Sequence, residues 1–261
     1  MLRITEVAKH LLIINILMFL AGFVFNTDLL ALYYPGSENF RPFQLVTHFF
    51  MHAGFMHIFF NMFALVMFGS ALETLWGPQR FLFYYFACAV GAAALHMFVD
   101  YLTISSLQAE IDAFRSAPSY DTFWAFFNDV PLDRLNPEYK EVVNNLSGAI
   151  QEGSAALVPQ ATNAMEQYVD FKMNRPVVGA SGAIFGLLLA FGMKFPNAEL
   201  MLIFFPVPVK AKYFIPILML LELYLGVNNF SWDNIAHFAH LGGALMGLLL
   251  ILLGRYFNAR L

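Results

Sequence analysis

Six long apolar runs, at about 10–33, 55–75, 80–103, 178–194, 212–226 and 235–254, limit what this chain can fold into. A helix needs about 20 apolar residues to cross roughly 30 Å of hydrocarbon. Backbone in lipid must satisfy its own polar groups, which leaves helices or closed barrels. The expected class is therefore an all-α polytopic membrane protein with six spans. Only 12% of the 261 residues are charged, against about 25% in soluble domains, so a soluble fold is excluded. Arg3 and Lys9 precede the first run as they would in a signal peptide. That run is long, lacks a small-x-small cleavage site and is followed by further spans, so it is expected to be a retained anchor.

Charge sets the expected topology. With the N-terminus in the cytoplasm, the inner segments hold Arg3, Lys9, Arg80, Lys194, Lys210, Lys212, Arg255 and Arg260, while the short outer segments hold only Arg41. Lys and Arg gather on cytoplasmic loops, so both termini are expected inside. A compact six-span chain of this kind suits a bacterial inner membrane. No basic cluster suggests nucleic acid. Cys88 is the single cysteine, which rules out an intrachain disulfide or a cysteine metal site.

The segment 104–175 is too long and polar for a turn. Glu110, Asp112, Asp121, Asp129, Asp133, Glu138, Glu141, Glu152, Glu166 and Asp170 stand there against five basic residues. Stretches 138–146 and 161–171 have helical, amphipathic patterning. A partly helical extramembrane insertion is expected, with a solvated spacer as the alternative. The chain then divides into residues 1–103 (three spans and the first outer loop), 104–175, and 176–261 (three further spans).

Three polar constellations interrupt the apolar runs. Gly179-Ala180-Ser181-Gly182 opens the fourth run, which is about sixteen residues long and so is expected to start below the outer surface. Its serine can be a packing residue or a nucleophile. His57 and Asn61 lie four apart on the second run and share a helix face. Both can donate to a developing oxyanion, or they can simply join helices. On the sixth run His240 precedes Gly243 and Gly247, a small-xxx-small groove of the kind that lets helices approach closely. Gly182 and Gly186 form the matching pair on the fourth run. Two such faces in contact would bring Ser181 to His240, and a serine hydroxyl needs an adjacent base to attack a carbonyl. His237 also follows an alanine but lacks glycines at +3 and +7, so His240 is the preferred base.

Together, Gly-x-Ser-Gly, His-x3-Asn and Ala-His-x2-Gly-x3-Gly on three spans resemble the rhomboid family of intramembrane serine proteases. The resemblance covers roughly 10–100 and 176–255, without the insertion, and implies a six-helix rhomboid-like bundle. It implies Ser181 as nucleophile and His240 as base, a dyad, with Asn61, His57 and the Ser181 amide as oxyanion donors. Gly179, Gly182, Gly243 and Gly247 match glycines that shape the site. Gln44, Thr47, Phe50 and His52 are similar to the family's first loop, with His52 supporting the site. Glu73 before Trp76-Gly77 is similar to its structural glutamate. Phe185 stands where some members carry a tyrosine over the catalytic histidine, and a phenylalanine ring can stack there too. The implied substrates are single-pass transmembrane proteins cut near the outer leaflet, with no cofactor and no metal.

The remaining polar residues have plainer readings. His48 and His52 are expected to brace the loop by hydrogen bonds, and His96 to pair locally. Glu222 is expected near the outer end of the fifth span, within reach of water. No His-Glu-x2-His pattern supports a metalloprotease. The competing classes are an inactive rhomboid-like protein that binds membrane clients and a six-span transporter. The latter would show two repeated halves with paired broken helices, and no such symmetry is present. Oligomeric state is not legible.

Overall fold

The computed structural model describes residues 4–128, 130–132, 135–202, 205–228, 230, 233 and 235–256. Arg3, Asp129, Asp133 and Arg260, weighed above for charge, lie outside the described residues. The fold is mainly helical, with one departure from the all-α expectation. Glu199–Leu202 (β1) and Phe205–Lys210 (β2) pair antiparallel, with Glu199 opposite Lys210. Pro206 and Pro208 lie on β2; a two-stranded ribbon is all edge, where the missing N–H of proline is tolerated.

Among the described residues, four helices are long and apolar enough to cross a membrane: Phe55–Trp76, Pro78–Ser116, Ala211–Asn228 and His237–Gly254. The other two expected spans are shorter as helices. The first, α1 (Glu6–Ala21), ends well before residue 33. Asn26 accepts from the Asp28 amide at 2.9 Å and turns the chain there, although Phe23, Val24 and Phe25 keep the apolar run going. The fourth apolar helix is Ser181–Lys194, of 14 residues. At 1.5 Å per residue it spans only about 21 Å.

In the first loop, Gln44–Thr47 (α2) leads to the second apolar helix. That helix comprises α3 (Phe55–Ala64), a π-helical turn over Leu65–Gly69, and α4 (Ser70–Trp76). Glu73 on α4 reaches across to the start of α1. Its carboxylate accepts from the Val7 and Ala8 amides at 3.0 and 2.9 Å and from the Thr5 hydroxyl at 2.5 Å. The first amides of a helix lack intrahelical partners, and a carboxylate also suits the positive end of the helix dipole. The expected structural glutamate is thus a cap for another helix.

Gly77, at φ 81°, turns the chain into α5 (Pro78–Ser116), a continuous helix of 39 residues. It runs past the expected boundary at 103. After it come α6 (Tyr120–Phe127), α7 (Pro137–Gln151) and α8 (Val158–Met173). These cover both amphipathic stretches and, with the end of α5, bury a second hydrophobic core that includes Phe114, Phe123, Phe127, Val143 and Met165. A separate core lies among the apolar helices, with Leu65, Tyr84, Tyr85, Cys88, Ala183 and Leu187 fully or nearly fully buried. The chain then returns through α9 (Ser181–Lys194), the β1–β2 ribbon, α10 (Ala211–Asn228) and α11 (His237–Tyr256).

Glycines let α5, α9 and α11 meet backbone to backbone. A Cβ on Gly243 would overlap the Gly182 carbonyl, and one on Gly182 would overlap the Ala92 Cβ. A Cβ on Gly242 would sit 2.6 Å from the Gly91 carbonyl oxygen. Gly247 gives room to the Tyr84 hydroxyl, which donates to the Gly186 carbonyl at 3.0 Å. The glycine-faced contact expected between the fourth and sixth apolar helices is therefore present, with α5 as a third participant.

Candidate active site

Ser181 is the first residue of α9. The approach to it is fixed by two backbone tethers. Leu32 and Val177 exchange hydrogen bonds at 3.0 and 2.8 Å, and the Gly179 amide donates to the His48 carbonyl at 2.9 Å. Gly179 has φ 122°, a region that side-chain-bearing residues rarely adopt. A Cβ there would stand 2.7 Å from His57 Nε2 and 3.7 Å from Ser181 Oγ. The serine hydroxyl and the His57 imidazole thus flank the same corner, which only glycine leaves open.

His57 and Asn61 share one face of α3, as their spacing requires. The Asn61 side-chain amide donates to the His57 carbonyl at 2.9 Å, which uses one of its two N–H donors. His57 Nδ1 takes the Ala53 amide at 3.3 Å, which leaves Nε2 as the nitrogen on the Gly179 side. His52 touches His57 edge to face, with ring centroids 5.0 Å apart. Its ring nitrogens are buried, with no close hydrogen bond to either, though the Phe50 backbone lies near enough to act on the ring. His48 does brace the loop, through its Nδ1 to the Gln44 carbonyl at 2.6 Å. Gln44 itself is buried and ties together Leu29, Tyr33, Asn39 and Arg41. Burial pushes the His48 imidazolium down to about 4. His52 falls to about 4 for the same reason, with His57 nearby adding to it. His96 pairs locally with Asp100 at 3.2 Å.

His240 lies on α11 with its ring flat against Phe185, centroids 4.0 Å apart and planes 8° from parallel. Phe185 is four residues after Ser181, so the two share a face of α9. This is the stacking that the phenylalanine was expected to allow.

Glu222 lies on α10, the expected fifth span, but is more buried than expected. It is 7% exposed and does not reach water. Its Oε2 contacts His240 Nδ1 at 2.8 Å and His237 Nδ1 at 2.6 Å. An ionised carboxylate only accepts, so both rings donate to it. His237 Nε2 bonds Asp233 Oδ2 at 2.8 Å, and His237 is therefore held from both sides. The i,i+4 spacing of Asp233 and His237 was a readable signal for that pair. Nothing in sequence spacing joins Glu222 to α11. The ligand-type atoms of Glu222, His237 and His240 lie within 4.8 Å of one another, a spread that a metal ion could share. The two short N···O contacts are equally within hydrogen-bond distance.

A family model described as the Rhomboid domain matches residues 39–106 and 146–257, well over half of the chain. The chain belongs to the rhomboid family. The second matched segment of this rhomboid begins at residue 146, before the end of the expected insertion at 175. Rhomboid protein 1, mitochondrial, of Saccharomyces cerevisiae is 39% identical over 74 residues, which is 28% of this rhomboid and 21% of the yeast protein. An uncharacterized mitochondrial rhomboid protein of Schizosaccharomyces pombe is 26% identical over 220 residues, 80% of this rhomboid and 49% of that protein. The rhomboid chain thus spans half or less of the length of these relatives. Family and apolar helices together make it a multi-pass membrane protein.

Proposed function

We propose that this rhomboid is an intramembrane serine endopeptidase in which Ser181 is the nucleophile and His240 the base. The observation that carries the reading is the face-to-face stack of His240 on Phe185, one turn along α9 from Ser181. Family membership supports the fold class in which such a pair would work.

The chemistry follows from the donors at hand. Ser181 Oγ attacks the scissile carbonyl of a transmembrane substrate while His240 takes its proton. Negative charge on the carbonyl oxygen meets the Ser181 amide, Asn61 and His57. Ser181 begins a helix, so its N–H has no intrahelical acceptor. The peptide C–N bond breaks as His240 returns the proton to the leaving amine. Water then hydrolyses the acyl-serine ester, with His240 again as base. The substrate must unwind locally, since helical hydrogen bonds cover its carbonyls.

The short α9 supports a recessed serine, and lysine and arginine placement supports cytoplasmic termini with the site opening outward. The polar helices after α5 suit a position outside the bilayer on that outer side. The mitochondrial names of both relatives weigh against the bacterial inner membrane, so the compartment is read only as a cellular membrane.

The test is cleavage of a fluorescent transmembrane substrate in liposomes by wild type, Ser181→Ala and His240→Ala. Wild-type cleavage lost in both variants supports the reading. Asn61→Ala is expected to lower the rate by about 10²–10³, as loss of an oxyanion donor does elsewhere. Equal cleavage by wild type and Ser181→Ala would refute it. Substrate binding without cleavage by wild type would favour the inactive client-binding class.

A further inference from the structure

We infer that Glu222 is a positioning residue for His240, an acidic third member behind the serine–histidine pair. The inference rests on the protease reading above and adds a role that the expected dyad does not contain.

The geometry is that of an oriented imidazole. A histidine that is to accept a proton on Nε2 must carry its own hydrogen on Nδ1. Glu222 Oε2 stands 2.8 Å from His240 Nδ1, inside the protein, and can only accept. With Glu222 ionised, this contact favours the tautomer that leaves Nε2 unprotonated, the form a base for Ser181 needs. Phe185 covers one face of the ring. Rotation is thus opposed by a stack on the face and a charge-assisted hydrogen bond at the edge, a class of bond roughly twice as strong as a neutral one. When His240 takes the serine proton, the ring becomes a cation, and the carboxylate already stands beside it. An acid in this position works by orientation and charge without itself taking the proton.

Glu222 is in turn held. His237, the first residue of α11, donates to the same Oε2 at 2.6 Å, and Asp233 holds the far nitrogen of His237 at 2.8 Å. A buried carboxylate without partners would be costly. Here the pair of imidazoles fixes its aim toward α11. The residue arrives on α10, of which it is one of only three buried side chains, with Ala211 and Ile215. Between Lys212 and Asn228 at its two ends α10 is otherwise largely apolar, and an ionisable residue facing a bundle interior is far more often functional than incidental. The other titratable rings near His240 are His57 on α3 and His96 on α5, and neither brings negative charge directly to Nδ1.

The experiment compares kcat and KM of wild type, Glu222→Asp, Glu222→Gln and Glu222→Leu on the fluorescent transmembrane substrate in liposomes. Thermal melting establishes that each variant is folded. If charge beside Nδ1 is what matters, kcat falls in the order wild type, Asp, then Gln and Leu together. The Gln variant should lose about 10²–10⁴ in kcat while KM changes little. Labelling of Ser181 by a fluorophosphonate should slow in the same order. A purely structural Glu222 predicts the reverse, with the isosteric Gln milder than the shorter Asp. That order, an unchanged kcat in Glu222→Gln, or losses that follow melting temperature would overturn the inference. Should Glu222→Gln not fold, Glu222→Asp decides alone. A kcat that falls while KM and melting temperature hold sustains the role, and an unchanged kcat overturns it. Failure of the protease reading looks different, since wild type itself would then not cleave.

Discussion

The ring of His240 lies parallel to that of Phe185, 4.0 Å away, and this contact joins α11 to the first turn and a half of α9. Aromatic pairs contribute about 0.5–1.5 kcal/mol beyond burial. Replacing Phe185 by Leu should keep the fold but let the imidazole tilt, lowering kcat by roughly threefold to tenfold. Phe185→Tyr should keep the stack and most of the activity. Steady-state cleavage of a transmembrane substrate by both variants tests this, and a fully active Phe185→Leu would contradict it.

Gly243 faces the Gly182 carbonyl so closely that no Cβ fits between them. Gly243→Ala is therefore expected to force α9 and α11 apart, with a destabilisation of about 1–3 kcal/mol or more. Because Ser181 and His240 sit one on each helix, activity should fall further than stability at the assay temperature. Thermal melting and cleavage measured on one preparation separate the two losses. Gly54→Ala is the control, since its Cβ would meet open space.

Glu73 caps α1 by accepting three hydrogen bonds on a buried carboxylate. Hydrogen bonds to charged groups contribute about 1.5–3 kcal/mol each, and leaving buried donors unpaired costs a similar amount. Glu73→Ala should lower the melting temperature clearly, and Glu73→Gln less so, without any direct effect at Ser181. Melting temperature alongside the rate of fluorophosphonate labelling in the folded fraction checks this.

His48 predicts a pH dependence of stability. Burial lowers its folded pKa to about 4, against roughly 6.5 in an unfolded chain. The unfolded state binds more protons below 6.5, so stability falls as pH drops from about 6.5 and levels off below about 4. At 1.36 kcal/mol per unit the loss approaches roughly 3 kcal/mol. Melting temperature should decline over that window in wild type, and the decline should be shallower in His48→Gln. Parallel curves would count against His48 as the source.

Much of the site could be read from spacing, because its parts repeat along helices. His57 and Asn61 declare a shared face, and Gly243 and Gly247 declare a close contact beside His240. Glu73 was legible as structural, though not as a cap for α1, since that partnership spans 65 or more residues of chain. Glu222 was misjudged for a similar reason: its position along α10 suggests water, and only the packing of α10 on α11 buries it. Helix ends were the other gap. The apolar run continues past Ala21 while the helix stops there, capped at Gly22. Past residue 103 the apolar run stops while α5 continues, because good helix formers such as Gln108, Ala109 and Glu110 sustain the hydrogen-bonded ladder.

At 1.5 Å per residue, the 39 residues of α5 measure about 58 Å, nearly twice the hydrocarbon thickness. Gly91 and Ala92, which touch α11 and α9, belong to the same rigid rod as Phe114, which sits in the second hydrophobic core. Surgery on this protein must respect that rod. Excising 104–175 would amputate the last third of a helix, whereas a cut beginning at Ala117 would leave the shaft whole but uncover Ile104, Ile111 and Phe114.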